Sequence, residues 1–272
     1  MPELSALLPM IAVLLVIGAF AGVIGGLLGI GGGIVLVPAF FYAFTHLGYG
    51  GDQVMQICVA TSLATIVVTS IRSVSGHHKK GAVDWKVLRD WAPFLVISAG
   101  IGVFVAARVS SLTLQAVFSA LAGLAGLWMA FGGDTWRLGT NMPAHPIRGA
   151  LASAVGFLSA LMGIGGGTFG VPLMTLYGMP IHRAVATASG FGVLIAVPSV
   201  IGFLFVRIAD APPWTVGAIS LPSFLVVIGT TLITTPLGVR LAHSMNPKPL
   251  RRAFAVFLTL VALNMLRKVL GW

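Results

Sequence analysis

Apolar stretches separated by short polar connections dominate the sequence, and several of them are about as long as a helix that crosses a bilayer. Such a helix needs about 20 consecutive apolar residues. Only 8% of the residues are charged and 57% are hydrophobic, whereas about a quarter of the residues of a soluble domain are charged. The sequence therefore predicts an all-α polytopic membrane protein. The stretches cover residues 5–28, 34–46, 53–76, 91–107, 113–132, 149–163, 169–178, 184–206, 215–239 and 253–266.

One glycine-rich motif occurs twice. Residues 28–33 read LGIGGG and residues 162–167 read MGIGGG, and a proline follows each motif at the same distance, Pro38 and Pro172. Because a glycine in a helix interior costs about 1 kcal/mol relative to alanine, each motif predicts an interruption between two helices. The alternative is that these glycines let helices pack closely, as small residues do in membranes.

The two halves of the chain also resemble each other beyond the motifs. CVATSLA at 58–64 matches AVATASG at 184–190, and SVSG at 73–76 matches SVIG at 199–202. This ordered series of matches predicts an internal duplication with a polar linker. Its parts are a first transmembrane repeat at 1–136, an inter-repeat linker at 137–146 and a second transmembrane repeat at 147–272.

The predicted repeats hold about five hydrophobic segments each, and an odd number places the second repeat upside down relative to the first. The positive-inside rule tests this arrangement. With five crossings per repeat and residues 77–90 inside, eleven Lys and Arg lie inside and four outside, with Arg72 within a span. Four crossings per repeat would give nine against six. The inverted arrangement is favoured, with 8–10 segments depending on whether the glycine-linked segments cross fully or are re-entrant.

Inverted repeats with helices broken at matching positions are typical of secondary transporters, whose sites lie near the membrane midplane. The segments after the two motifs, 34–46 and 169–178, are the shortest apolar stretches. A helix that starts there presents free N–H groups and the positive end of its dipole, which suits a small anionic substrate with several oxygens. We therefore expect the motif glycines to bind such an anion: Gly29, Gly31, Gly32, Gly33, Gly163, Gly165, Gly166 and Gly167.

A polar stripe is predicted on the third segment. Thr61, Thr65, Thr69 and Arg72 fall within about 80° of one helix face. We expect Arg72 either to contact the anion along its pathway or to extend from the segment end to the membrane interface. Further candidate hydroxyl donors are Ser62, Thr168, Thr187 and Ser189. The alternative for Thr187 and Ser189 is a hydrogen bond to a carbonyl of their own helix.

Several other functions are excluded by the sequence. No carboxylate lies in the middle of a segment, and no Cys/His cluster has zinc spacing. The GxGxxG pattern at 165–170 lacks the acidic residue that a dinucleotide site needs about 20 positions later. The basic residues lie in short connections, which indicates orientation in the lipid bilayer and not nucleic-acid binding. The run HHKK at 77–80 is interpreted as a basic loop at the inner interface. We expect no enzyme, no cofactor and no metal.

Paired GIGGG motifs, each followed by a proline and each opening one half of a hydrophobic chain, with Ala-Thr-Ser at 60–62, resemble the TauE/SafE family. The resemblance implies a secondary transporter of the bacterial cytoplasmic (inner) membrane. It would export a sulfur oxyanion, sulfite or an organosulfonate such as sulfoacetate, by alternating access driven by the membrane potential or an ion gradient. The alternative is an importer or channel for the same or related anions, such as sulfate, thiosulfate or small carboxylates. A homodimer is compatible with the sequence, but no residue pattern in it requires one.

Overall fold

The structure is a computed structural model that describes residues 4–49, 51–131, 137–244 and 248–269. The first half of the chain forms five helices within these ranges, and a short 3₁₀ turn at Gly51–Gln53 precedes the third. They are α1 (Leu4–Leu28), α2 (Gly33–His46), α3 (Val54–Lys79), α4 (Trp85–Ala106) and α5 (Ser111–Phe131).

The second half repeats this order of helices, with one small addition. Its helices are α6 (Ile147–Met162), α7 (Gly167–Leu176), α8 (Ile181–Leu204), α9 (Leu221–Ser244) and α10 (Lys248–Val269). The addition is an antiparallel hairpin between α8 and α9, made of β1 (Thr215–Val216) and β2 (Ile219–Ser220).

Six helices in the described part of the chain are long and apolar enough to cross a membrane: α1, α3, α4, α5, α8 and α9. Three shorter apolar helices, α2, α6 and α7, lie between them. The prediction of an all-α polytopic membrane protein is therefore confirmed.

Two local expectations are wrong. Residues 215–220 are not the start of a long helix but form the hairpin, because Gly217 takes a left-handed turn (φ 60°) and Pro222 favours a helix start just after it. The run at 77–80 is not a loop, because α3 continues to Lys79, and His77 is only 1% exposed.

The chain leaves its helical path within both glycine motifs. α1 ends at Leu28 and α2 begins at Gly33, and α6 ends at Met162 and α7 begins at Gly167. Gly163 closes α6 in the left-handed conformation (φ 69°), which glycine adopts without the steric cost of a Cβ. Each short helix therefore starts inside the protein and not at its surface.

The pattern of helix packing stays the same when the two halves of the chain are exchanged. α1 packs along α9, and α6 packs along α4, so the first helix of each half lies on the fourth helix of the other. α3 packs on α8 and α5 on α10, which are equivalent helices of the two halves. α2 packs on α3 as α7 packs on α8. Exchanging each helix for its counterpart in the other half (α1 with α6, α2 with α7, α3 with α8, α4 with α9, α5 with α10) therefore reproduces this set of pairs.

The directions of the helices follow from individual contacts. The start of α3 lies beside the end of α4, where the Gln56 amide donates to the carbonyl of Ala106. The start of α8 lies beside the start of α4, where the Thr187 hydroxyl accepts from the backbone N–H of Asp84. Gly202, near the end of α8, faces Val103 near the end of α4. α8 therefore runs parallel to α4 and antiparallel to α3.

Two ion pairs join the halves on the side where α3 ends. Arg148 on α6 contacts Asp90 on α4 at 2.8 Å, and Arg183 on α8 contacts Asp84 at 3.1 Å. Asp84 also caps α4, since its carboxylate accepts from the N–H of Val87. Both pairs are partly exposed, so each contributes about 1 kcal/mol or less. Both pairs connect α4 or its N-cap in the first half to a helix of the second half.

Candidate functional site

The two glycine loops, residues 29–32 and 163–166, lie directly against each other. A methyl group on Gly33 would lie 2.5 Å from the carbonyl oxygen of Gly163, and one on Gly165 would lie 2.6 Å from the carbonyl oxygen of Ile30. A methyl group on Gly167 would overlap the carbonyl of Gly29. Only glycine permits this backbone-to-backbone approach, so each short helix begins against the glycine loop of the other half.

The starts of α2 and α7 are buried and have no side-chain cap. Each N-cap residue is a glycine, Gly32 for α2 and Gly166 for α7, and a glycine has no side chain to accept from the first N–H groups of the helix. The first residues of both helices are buried. The first N–H groups of a helix have no partner within it and carry the positive end of the dipole. Two such helix starts therefore lie in the interior, each against the glycine loop of the other half.

One side of α3 holds both loops in place. The Ser62 hydroxyl donates to the carbonyl oxygen of Gly163 at 2.7 Å, and the Thr69 hydroxyl lies 3.2 Å from the carbonyl oxygen of Gly31. These two side chains are seven residues apart, which is close to two helical turns. α3 thus contacts the loop of its own half and the loop of the other half through two hydroxyls on one side of the helix, about two turns apart.

Two buried hydroxyls near the loops have no hydrogen-bond partner among the described residues, those of Ser70 and Thr168. Ser70 is 1% exposed, and its oxygen faces both Gly31 and Gly192. Thr168 is 6% exposed and is the second residue of α7. A buried hydroxyl without a partner costs about 1–3 kcal/mol. Both hydroxyls are therefore candidate donors to a polar ligand.

Other predicted site residues have partners elsewhere. Thr61 accepts from the backbone N–H of Ser220 at the hairpin, and Thr187 accepts from that of Asp84. Thr65 donates to the carbonyl of Thr61, and Ser189 donates to that of Ala186 within its own helix. The structure brings none of these four hydroxyls into a contact with the glycine loops.

Arg72 is placed apart from the loops. Its side chain is exposed on α3, whereas Ser62 and Thr69 on the same helix are buried. An exposed arginine on a membrane helix extends its charge towards water or lipid headgroups. A role at the approach to the site stays a prediction for Arg72.

Gly32 and Gly166 are packed against their surroundings. A methyl group on Gly32 would lie 2.6 Å from the carbonyl oxygen of Ala21, and Gly32 has a φ of 77°. A methyl group on Gly166 would lie 2.6 Å from Cβ of Phe191 and 2.8 Å from Cδ1 of Ile195. Both positions therefore satisfy the close-packing interpretation, and a larger side chain there disturbs the fold whether or not an anion binds.

A histidine cluster at the end of α3 was missed by the sequence reasoning. His77 Nδ1 lies 3.0 Å from Nε2 of His243, and His77 Nε2 lies 3.0 Å from the carbonyl oxygen of Gly26. The ring of His182 stacks beside that of His243 with centroids 6.4 Å apart. Within the described residues, no group of three His, Cys, Asp or Glu is arranged to hold a metal ion. The three histidines lie far apart in the sequence, so no sequence motif indicates that they form a cluster.

Comparison with known proteins agrees with this architecture. Residues 14–265 match the profile of the family described as "Sulfite exporter TauE/SafE". A "Probable membrane transporter protein" of Haemophilus influenzae is 31% identical over 240 residues, 86% of this chain and 90% of that protein. One from Methanocaldococcus jannaschii is 27% identical over 219 residues, 80% of this chain and 82% of that protein. No solved structure gave a significant match.

Proposed function

The chain belongs to the sulfite exporter TauE/SafE family and is a multi-pass membrane transporter, and from this premise we propose that it exports a small sulfur-containing oxyanion. The proposed substrate is sulfite or an organosulfonate such as sulfoacetate, carried across the bacterial cytoplasmic membrane. The family and its relatives are named as transporters and not as enzymes.

The pair of buried, uncapped helix starts is the observation that carries the proposal. An anion with several oxygens accepts hydrogen bonds from N–H groups at the starts of α2 and α7, and both dipoles favour its charge. The free hydroxyls of Ser70 and Thr168 add two donors. Such a site binds an anion without a buried cation, and a metal cation would gain nothing from it.

The exchange of helix pairs between the halves supports an inverted repeat. α1 lies on α9 as α6 lies on α4, and α3 runs antiparallel to α8. Equivalent helices that run in opposite directions are the arrangement that alternating access uses, because one half can rock against the other around a central site. The glycine loops lie at this centre, where each half contacts the other.

In the proposed cycle, the anion separates the two glycine loops. The loops touch through Gly33 and Gly163 and through Gly165 and Ile30. Rocking of one half loosens these contacts and exposes the N–H groups to one side of the membrane. The exposed N–H groups form hydrogen bonds to water, and the anion replaces this water when it binds. Rocking in the opposite direction then releases the anion on the other side of the membrane.

Export is the direction that the membrane potential favours. An anion that leaves a cell with a negative interior gains about 2.3 kcal/mol per charge for every 100 mV. Import of the same anion would work against this energy and would need a coupling ion.

A panel of anions tests the proposal. We expect sulfite or sulfoacetate to stabilise the purified protein in a thermal-shift or calorimetric titration, and taurine and lactate to have little effect. Counterflow in proteoliposomes then separates a carrier from a channel, because only a carrier shows trans-stimulation. Stabilisation by small carboxylates alone would contradict the proposed substrate class.

A further inference from the structure

His77 and His243 form a hydrogen-bonded pair at the end of the bundle where α3 and α9 end. His77 belongs to the last turn of α3 and is 1% exposed, whereas His243, near the end of α9, is exposed. The two rings meet at 3.0 Å between Nδ1 of His77 and Nε2 of His243. One ring is therefore reached by water, and the other is enclosed by the protein.

The carbonyl oxygen of Gly26 determines which nitrogens carry protons. A carbonyl only accepts hydrogen bonds, so His77 donates to it through Nε2–H. In the neutral pair, Nδ1 of His77 must then accept, and it accepts from Nε2–H of His243. Nδ1 of His243 is the nitrogen left without a proton, and it belongs to the exposed ring. The pair can thus take up one proton from water without losing either hydrogen bond.

The added proton can move inward along the pair. When Nδ1 of His243 is protonated, its Nε2 proton can transfer to Nδ1 of His77, and the positive charge then lies on the buried ring. There it faces the carbonyl of Gly26, one of the last carbonyls of α1, where the negative end of the helix dipole favours a cation. Gly26 precedes the glycine loop by three residues. A proton carried by His77 would therefore strengthen a contact that holds the end of α1.

We propose that His77 and His243 bind the proton that is coupled to anion transport. The proposal rests on the proposed function, and it adds proton coupling to a transporter whose export the membrane potential already favours. The pair holds one added proton with both of its hydrogen bonds intact. His182 on α8 and Lys80 after α3 act on His243 electrostatically, and α1 contributes no ionisable side chain within Leu4–Leu28. A second proton would place two N–H groups face to face.

Flux at zero membrane potential tests the coupling. Proteoliposomes would be loaded with labelled sulfoacetate, which has the same charge at about pH 6 and about pH 8, and potassium with valinomycin would hold the potential at zero. We expect a pH gradient to change net flux at least about threefold in the wild type. The glutamine in His77→Gln keeps a donor and an acceptor but binds no proton. The net flux of this variant should therefore not depend on the pH gradient, and its counterflow should remain. His78→Gln, a matched control on the exposed neighbouring residue, should behave like the wild type.

The outcomes separate the two proposals. Strong counterflow with no response to a gradient of either sign would overturn proton coupling and leave the proposed function intact. Absence of counterflow with every sulfur oxyanion would overturn the proposed function. In that case, histidine-ring NMR in nanodiscs still tests whether His77 and His243 share a proton. We expect His77→Gln to shift the titration of His243, and an unchanged His243 titration would contradict a shared proton.

Discussion

The hydroxyl of Ser62, on the third helix of the first half, donates a 2.7 Å hydrogen bond to the carbonyl oxygen of Gly163, which ends the first helix of the second half. Both residues are buried. This bond connects the two halves of the chain near the glycine loops, where each half leaves its helical path. It makes the glycine loops one structural unit and not two separate interruptions.

Ser62→Ala removes this link. The Gly163 carbonyl loses its donor, and hydrogen bonds between membrane helices are each worth about 0.6–2 kcal/mol. We expect a loss of about 1 kcal/mol in the free energy of unfolding, with slower transport, measured by thermal unfolding and counterflow. Ser189→Ala is the control, because its hydroxyl bonds within its own helix. Equal effects of both changes would show that Ser62 has no special role.

Thr168→Val and Ser70→Ala separate binding from folding. Neither hydroxyl has a hydrogen-bond partner in the described part of the chain, so removing it should leave the thermal stability unchanged or higher. A hydrogen bond to a charged ligand is worth about 1.5–3 kcal/mol, so we expect each change to weaken anion binding about tenfold or more in calorimetry.

The control for this pair is Thr65→Val, because the Thr65 hydroxyl already bonds to the carbonyl of Thr61. Its anion affinity should match that of the wild type. Wild-type affinity in both Thr168→Val and Ser70→Ala would remove these hydroxyls from the site.

Gly33→Ala tests the contact between the loops. A methyl group there would lie 2.5 Å from the Gly163 carbonyl oxygen and 2.6 Å from Cδ1 of Ile66, so the loops must separate. We expect lower thermal stability and little transport. Gly100→Ala is the matched control, because nothing lies within 4 Å of a methyl group at that helical position. That variant should be as stable as the wild type or gain up to about 1 kcal/mol. Normal transport by Gly33→Ala would contradict the close approach.

The change Arg72→Gln tests the exposed arginine of α3. If its charge attracts the anion to the site, transport should slow and depend less on ionic strength, because steering by exposed charge is screened by salt. The measurement is the initial rate of counterflow at low and high salt. Arg108→Gln is the control, since that guanidinium lies over the ring of Phe104. A loss of expression with a normal rate per molecule would instead indicate an anchor at the membrane interface.

Much of the fold could be predicted, because a helix that crosses a membrane must be long and apolar, and such helices are visible in the sequence. The break between Leu28 and Gly33 and the one between Met162 and Gly167 fall within the two glycine motifs. The hairpin at 215–220 was missed, because Val216, Ala218 and Ile219 continue into the apolar stretch of the helix that follows.

The site was harder to predict, because α3 is buried on most sides and its polarity does not identify the side that faces the loops. The sequence predicted a stripe of Thr61, Thr65, Thr69 and Arg72, with Ser62 as a further donor. Of these residues, Ser62 and Thr69 contact the loops, and they lie on one side of the helix, seven residues apart. Ser70 lies near this side as well. Only the positions of α1, α6 and α8 distinguish these sides, and those positions depend on contacts between distant parts of the chain.

The location of a bound anion tests the central claim most directly. Crystals would be soaked with selenite and, separately, with 2-bromoethanesulfonate, whose selenium and bromine atoms can be located by anomalous scattering. We predict a peak between the starts of α2 and α7, within hydrogen-bonding reach of Ser70 or Thr168. Peaks found only at surface cations such as Arg72, with the glycine loops unaltered, would contradict the account.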